Sequence, residues 1–197
     1  MLANDSFNVA STSVSLTALP KDTTGLERIM LVAQGDLQRL LSTFFSRPIF
    51  IECIYAHTAP RTKPASPETP VSQIRQVHLV CSGRVVCIAT SSVTITSPEF
   101  ERLFLEDKYP IGQTFRRAQR TPQFSLLDVQ SRIENGKREL RRTYKLETPG
   151  FECEILEVFP DRTMFAMGEA WLDEEQVANV VAPGQNWVVP QAETTVH

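Results

Sequence analysis

The chain has 197 residues, which is long enough for one domain with a sizeable hydrophobic core. Hydrophobic residues make up 42% of it and charged residues 22%, the proportions of an ordinary soluble globular protein. The net charge is −3, and the densest cluster of basic residues (138–145) is balanced by nearby glutamates, so the composition argues against a nucleic-acid partner.

Cysteine usage and the absence of targeting signals predict a cytoplasmic protein. The four cysteines lie in apolar, strand-like runs without a C-x-x-C spacing, so we expect buried free thiols in a reducing compartment. No signal-peptide pattern opens the chain, and no apolar run reaches the length of a membrane span. No histidine pair has metal-ligand spacing and no phosphate-loop or nucleophile motif occurs, so we expect neither metal nor cofactor.

The N-terminal part of the chain predicts an arm, two helices and a strand. Residues 1–25 are polar and are expected to form a flexible arm before a single domain at 26–182, which a tail at 183–197 follows. Apolar residues at helical spacing predict two short helices between Leu26 and Phe44, the second capped by Asp36. Residues 49–56 are β-branched and aromatic, which predicts a strand.

A long proline-rich segment follows at residues 57–71. Its four prolines exclude regular structure. A loop of this length inside a compact domain is typical of a lid or mobile segment, and a bare spacer is the alternative. The sequence leaves both interpretations open.

Residues 74–95 predict a β-hairpin that turns at 82–83. In that register Arg75 lies opposite Thr90, and His78 lies opposite Cys87. One face of the hairpin is then apolar with an arginine at its end, and it carries Arg75, Val77, Leu79, Val86, Ile88 and Thr90.

The following segments alternate between helices and strands. Ser97 and Pro98 predict the start of a helix that runs to about Asp107, and a turn at 109–112 leads into a short helix ending near Ala118. Residues 121–137 are ambiguous, with a strand and a loop at 135–136 as one interpretation. Residues 164–172 predict a strand and 173–181 a short helix. Together these elements predict an α+β single domain with an antiparallel β-sheet and helices on one side.

A second hairpin, residues 140–147 and 151–159, carries the remaining ionisable candidates. A two-residue Pro-Gly loop places Arg142 opposite Glu157, at the end of a face that is otherwise apolar. Glu154 lies on the other, charged face. A register slip of one residue would exchange the two glutamates, so Glu154 remains an alternative to Glu157.

Inward-facing charges suggest a ligand site. A buried charge needs a counterion or a ligand, and an internal salt bridge between Arg142 and Glu157 would satisfy those two residues alone. Arg75 adds a further positive charge to the apolar surface. An apolar pocket with spare guanidinium charge suits a small carboxylate, which arginine binds through two parallel hydrogen bonds.

Four stretches resemble segments of the chorismate lyase family, and they follow one another in the same order as in that family. They are LVAQGDLQRLL, which resembles the N-terminal helices of the family; IRQVHLVCSGRVVCIATSSV, its central hairpin; YPIGQTF, the turn before a helix; and LRRTYKLETPGFECEILEVFP, its closing hairpin. The resemblance covers about residues 26–165 and is nearer to the divergent cyanobacterial and archaeal branch. Near Thr90, in the stretch ATSSV, the sequence departs from the family, which typically has an arginine in the second strand of the central hairpin.

The resemblance implies a fold like that of chorismate lyase and a carbon–oxygen lyase that converts chorismate to 4-hydroxybenzoate and pyruvate without metal or cofactor. It implies that Arg75 holds a substrate carboxylate and that Glu157 contacts the hydroxyl end of the ligand. Ile111 and Gly112 would contact the ligand through their backbone. The substrate-binding assignments also include Leu37 of the helix pair and, near the enolpyruvyl group, Arg142. We expect a monomer whose product enters quinone synthesis, with plastoquinone as the expected product in a cyanobacterium.

The same residues are compatible with two other functions. The same fold serves as an effector-binding domain in bacterial transcription regulators, so a non-catalytic module that binds aromatic acids is the main alternative. The arm of 25 residues is too short for the helix-turn-helix that precedes the domain in those regulators, which favours an enzyme. In a structural protein, Arg142 and Glu157 would form only a salt bridge.

Overall fold

The computed structural model of the protein describes residues 19–35 and 37–180. The predicted tail (183–197), most of the predicted arm, and the proposed helix cap at Asp36 lie outside the described residues. No helix in the described part of the chain is both long and apolar enough to cross a membrane.

A single six-stranded sheet, antiparallel throughout, organises the domain. Its spatial order is β1-β2-β3-β6-β5-β4, so two hairpin-linked groups of three strands meet where β3 pairs with β6. The strands are β1 (Ile49–Thr58), β2 (Val71–Cys81), β3 (Arg84–Ile95), β4 (Gln123–Glu134), β5 (Lys137–Thr148) and β6 (Phe151–Phe159).

The helices cover one face of this sheet. In β6 the alternate residues Phe151, Cys153, Ile155, Glu157 and Phe159 are buried, whereas the glutamates between them on the other face are exposed. This burial pattern confirms the predicted α+β domain with its antiparallel sheet. The helices are α1 (Gly25–Val32), α2 (Leu37–Phe44), α3 (Pro98–Glu101) with a π-helical turn at Arg102–Glu106, α4 (Ile111–Arg117), α5 (Thr163–Met167) and α6 (Glu169–Val180).

The strand predicted at 164–172 is wrong. This segment forms α5 and the start of α6, joined at Gly168, whose φ of +60° lies in the left-handed region that glycine adopts without strain. Met164 and Trp171 are both buried and lie seven residues apart, which is a helical spacing. Total hydrophobicity suggested a strand, but the spacing of the buried residues is helical.

A β-bulge overturns part of the register predicted for the first hairpin. Cys81 pairs with Arg84 as predicted, but the register shifts between Leu79 and Val80, so that Arg75 lies opposite Ser91 and His78 opposite Ile88. Because the bulge adds one residue to β3, every residue beyond it changes face. Beyond the bulge, the inner face of β3 therefore carries Cys87, Ala89 and Ser91, in place of Ile88 and Thr90. Val86, at the bulge itself, is also fully buried.

The second hairpin has the predicted register. Arg142 lies opposite Glu157, and Tyr144 lies opposite Ile155. The tight turn needs glycine at position 150, because φ there is +93° and a Cβ atom would come within 2.6 Å of the Cβ of Ser97. Ser97 itself precedes α3 as predicted but makes no side-chain capping hydrogen bond.

The proline-rich loop is largely exposed, but it is attached to the domain at Ala65. Ala65 is fully buried, and its backbone N–H donates to Glu101 of α3 at 2.6 Å. Glu101 also pairs with Arg61 at 2.5 Å. These contacts attach the loop to α3, so the bare-spacer interpretation does not describe it.

An ion-pair network attaches the start of the domain to its C-terminal helices. Arg162 donates through Nε and Nη2 to the two carboxylate oxygens of Glu27, at 2.7 and 2.8 Å, and through Nη1 to Asp22 at 2.6 Å. Glu27 also completes a capping box with Thr24 at the start of α1. Burial opposes the charge of Glu27, but the hydrogen bonds from Arg162 and Thr24 outweigh it and lower the pKa of Glu27.

We expect Glu27→Gln to lower the free energy of unfolding by about 3 kcal/mol, because it leaves Arg162 without its buried partner. The stabilisation from Glu27 is present above the unfolded-state pKa and is lost as the pH falls through the lowered folded-state pKa. The wild type should therefore lose stability more steeply than the variant below about pH 4.3. Urea titrations at several pH values measure both effects, with Glu134→Gln on exposed β4 as the control. Equal stabilities at pH 7 would contradict the role given to this network.

Candidate functional site

A cavity lies between the inner face of the sheet, α2 and α4. Its volume is about 160 Å³, close to the cavity of about 150 Å³ that holds benzene in an engineered protein. It is therefore large enough for one aromatic ring. The described residues that line it are Gly35, Leu37, Gln38, Ile51, Arg75, Val77, Leu79, Ala89, Ser91, Pro110, Ile111, Gly112, Gln113, Arg116, Tyr144, Leu146, Ile155 and Glu157.

The structure brings five of the six predicted site residues to this cavity: Leu37, Arg75, Ile111, Gly112 and Glu157. They come from α2, β2, the start of α4 and β6, which are distant in sequence. The sixth residue, Arg142, is not among the residues that line the cavity. The alternative carboxylate, Glu154, is exposed on the other face of β6.

Arg75 is a partly buried cation that faces the cavity. In the described part of the chain it has no hydrogen bond and no ion pair, and its guanidinium carbon lies 5.3 Å from the centroid of the Phe104 ring. Burial lowers the pKa of Arg75, since desolvation disfavours the charged form. A carboxylate ligand would restore the lost solvation of this guanidinium through two parallel hydrogen bonds.

Glu157 is held in place by two protein donors. Its Oε2 accepts a hydrogen bond from Nε of Arg142 at 2.6 Å, and its Oε1 accepts one from the hydroxyl of Tyr144 at 2.8 Å. All three side chains are buried. A carboxylate has about four acceptor positions, so Glu157 retains capacity for a donor that enters from the cavity.

The hydroxyl of Tyr144 is fixed as a donor in this arrangement. Burial raises the pKa of Tyr144 well above its usual value, and the nearby charge of Glu157 raises it further. Tyr144 therefore keeps its proton and donates a hydrogen bond to Glu157. The ring of Tyr144 lines the cavity as well, so one side chain both forms a wall of the cavity and orients its carboxylate.

Arg142 lies behind Glu157 and connects it to the helix pair. Its Nη1 donates to the carbonyl oxygens of Met30, Leu31 and Ala33 at 2.8, 3.0 and 2.9 Å. These carbonyls belong to the C-terminal end of α1, where backbone oxygens have no helical partner and the helix dipole is negative. Although burial opposes its charge, Glu157 and Tyr144 raise the pKa of Arg142. Arg142 thus acts on the cavity indirectly.

Several lining residues were missed or misplaced by the sequence interpretation. Ser91 is 4% exposed and lies directly opposite Arg75, but the bulge hid its orientation. Thr90 lies on the opposite sheet face, where it accepts a hydrogen bond from Gln76 at 3.0 Å, and it does not line the cavity. Arg116 lies four residues after Gly112, and this helical spacing was a usable signal.

No protein-family model matches the chain, and no curated protein matches its sequence. In residues 19–35 and 37–180, no group of three or more His, Cys, Asp and Glu side chains is arranged to hold a metal ion. The cavity, and the resemblance of its lining stretches to the chorismate lyase family, are therefore the basis for a proposed function.

A double-mutant cycle tests the link between Arg142 and Glu157. We expect Arg142→Met alone to cost about 3–5 kcal/mol of unfolding free energy, because it leaves Glu157 buried without its cation. The double variant, which adds Glu157→Gln, should lose at least about 1 kcal/mol less unfolding free energy than the two single variants lose in sum. The reason is that charged residues in contact are energetically coupled. Urea unfolding measures each variant, and Arg132→Met on exposed β4 is the control. Strict additivity would contradict the contact.

Proposed function

We propose that the protein is a chorismate lyase, a carbon–oxygen lyase that releases 4-hydroxybenzoate and pyruvate from chorismate. The proposal rests chiefly on one observation: Arg75 and Glu157 line the same ring-sized cavity together with Leu37, Ile111 and Gly112. These are the positions to which the family resemblance gives roles in the site. The proposal includes a monomeric, cytoplasmic enzyme. Its product, 4-hydroxybenzoate, would be a precursor for quinone synthesis, with plastoquinone as the expected quinone.

The substrate fits the polar ends of the cavity. Arg75 binds the ring carboxylate, and Ser91, directly opposite it on β3, lines the cavity beside that position. Glu157 accepts a hydrogen bond from the ring hydroxyl. Val77 and Ile155 also line the cavity, and their side chains offer apolar surface to the ring.

The reaction needs little chemical assistance from the protein. The ether bond to the ring breaks, the ring carbon that bears the hydroxyl loses its hydrogen, and the released enolpyruvate gains a proton to become pyruvate. Aromatisation of the ring supplies the driving force, so no oxidant or cofactor is required. The protein contributes by holding the reactive conformer and by placing donors and charges where charge develops.

The role of Arg142 is revised in this proposal. The sequence interpretation placed it near the enolpyruvyl group, but its donors are directed to Glu157 and to the end of α1. We propose that it positions the carboxylate of Glu157 and the helix pair that carries Leu37. Its contribution to turnover is therefore through geometry.

A non-catalytic module for aromatic acids is the second candidate. It is favoured by the two protein donors that already occupy Glu157, since a carboxylate held in this way serves binding as well as chemistry. Such a protein would bind 4-hydroxybenzoate in the same cavity without consuming chorismate.

An assay with purified protein distinguishes the two candidates. Chorismate is incubated in chelator-containing buffer, and the products are separated by chromatography against a no-protein control. We expect protein-dependent formation of 4-hydroxybenzoate and pyruvate in equal amounts, because elimination divides the substrate between them. Saturable binding of 4-hydroxybenzoate with unchanged chorismate would select the binding module, and the absence of both would reject both functions.

Substitutions at the two ends of the cavity test the assigned roles. We expect Arg75→Ala to lower kcat/KM for chorismate by about a hundredfold or more, because a buried charge contact of this kind is worth several kcal/mol. Arg132→Ala on β4 is the control for the loss of a positive charge. Turnover close to that of the wild type in Arg75→Ala would reject its role in carboxylate binding.

A pair of substitutions on β6 tests the carboxylate. Glu157→Gln should lower turnover by about tenfold or more, since the contact with the ring hydroxyl is weakened. Glu154→Gln, on the exposed face of the same strand, should leave turnover unchanged. The opposite result would assign the site to the other face of the strand.

A further inference from the structure

A second guanidinium lies at the cavity. Among the described lining residues, the charged side chains are Arg75, Arg116 and Glu157. Glu157 already has a cation, Arg142, as its partner. A ligand that carries two carboxylates therefore meets two arginines in this cavity, one on β2 and one on α4.

Arg116 is placed differently from Arg75. It lies one helical turn after Gly112, on the same side of α4, and its Nε donates to the carbonyl of Gly112 at 3.4 Å. Arg116 is exposed, whereas Arg75 is partly buried under the helices. The two guanidiniums thus occupy the solvent side and the interior of one cavity that is large enough for a single ring.

We infer that Arg116 binds a second carboxylate of the ligand, so that the cavity selects ring-sized dicarboxylates over monocarboxylates. An arginine has five N–H donors, so Arg116 can retain its existing contacts while it binds a carboxylate. The identity of the substrate in this inference rests on the proposed function. The second carboxylate would be that of the enolpyruvyl group, so Arg116 takes the role that the sequence analysis gave to Arg142.

The arrangement has a consequence for turnover. Elimination removes the enolpyruvyl carboxylate from the ring, so the aromatic product has one carboxylate, which contacts Arg75, and no second carboxylate for Arg116. Arg116 then distinguishes the substrate from the aromatic product, and its contribution to binding disappears when the ether bond breaks. Because Arg116 is exposed, this contribution is moderate and decreases with ionic strength.

Two unreactive probes separate this inference from the lyase activity. The dicarboxylate 3-(carboxymethoxy)benzoate carries a second carboxylate on an ether beside the ring, and 3-methoxybenzoate is the matched probe without it. Calorimetric titrations of both probes are made with the wild type, Arg116→Gln and Arg117→Gln. Arg117 is the matched control, because it is the next residue of α4 but stacks on Tyr109 at 4.9 Å and does not line the cavity.

We expect the wild type to bind the dicarboxylate about tenfold more tightly than the monocarboxylate, which corresponds to one charge-assisted contact of about 1.4 kcal/mol. Arg116→Gln should abolish this preference and leave the affinity for 3-methoxybenzoate unchanged, while Arg117→Gln should keep it. The preference should also decrease between low and high salt.

Three results would overturn the inference: equal affinities of the wild type for the two probes, an unchanged preference in Arg116→Gln, or no binding of either probe. Failure of the proposed function looks different. In that case the dicarboxylate preference depends on Arg116, but chorismate incubated with the protein remains intact.

Discussion

The buried guanidinium of Arg142 is the interaction on which the candidate site depends. It joins β5 to Glu157 of β6 and to three carbonyl oxygens at the end of α1. Hydrogen-bond acceptors offset the cost of burying a charge, and here the acceptors for Nε and Nη1 come from the sheet and from the helix pair. Arg142 therefore contributes both to the position of the helix pair over the sheet and to the orientation of the cavity carboxylate.

Arg75 illustrates the opposite condition. It is partly desolvated, it faces the same cavity, and it has no hydrogen bond or ion pair in the described part of the chain. The two inward arginines, one on β2 and one on β5, thus differ in how their donors are used. The donors of Arg142 are used within the protein, with the exception of Nη2, whereas those of Arg75 face a space that fits one ring. This difference is the physical basis for assigning Arg75 to the ligand and Arg142 to the architecture.

Networks elsewhere in the fold support the elements that form the cavity. Arg162 binds Glu27 and Asp22, which fixes α1 against the C-terminal helices. Glu101 binds the backbone of Ala65 and the side chain of Arg61, which attaches the proline-rich loop to α3. None of residues 59–70 lines the cavity, so the lid interpretation of that loop is not supported by its position in this structure.

The sequence by itself determined the features that depend on local pattern. The two-residue period of β5 and β6, with a glycine-dependent turn, was enough to place Glu157 opposite Arg142 and on the buried face. Tertiary structure decided the rest. The bulge in β3 exchanged its faces and brought Ser91, not Thr90, beside Arg75, and no local pattern announces an extra residue in a strand. The carbonyl partners of Arg142 in α1 lie more than a hundred residues away in the chain, and only the packing of α1 on the sheet brings them together.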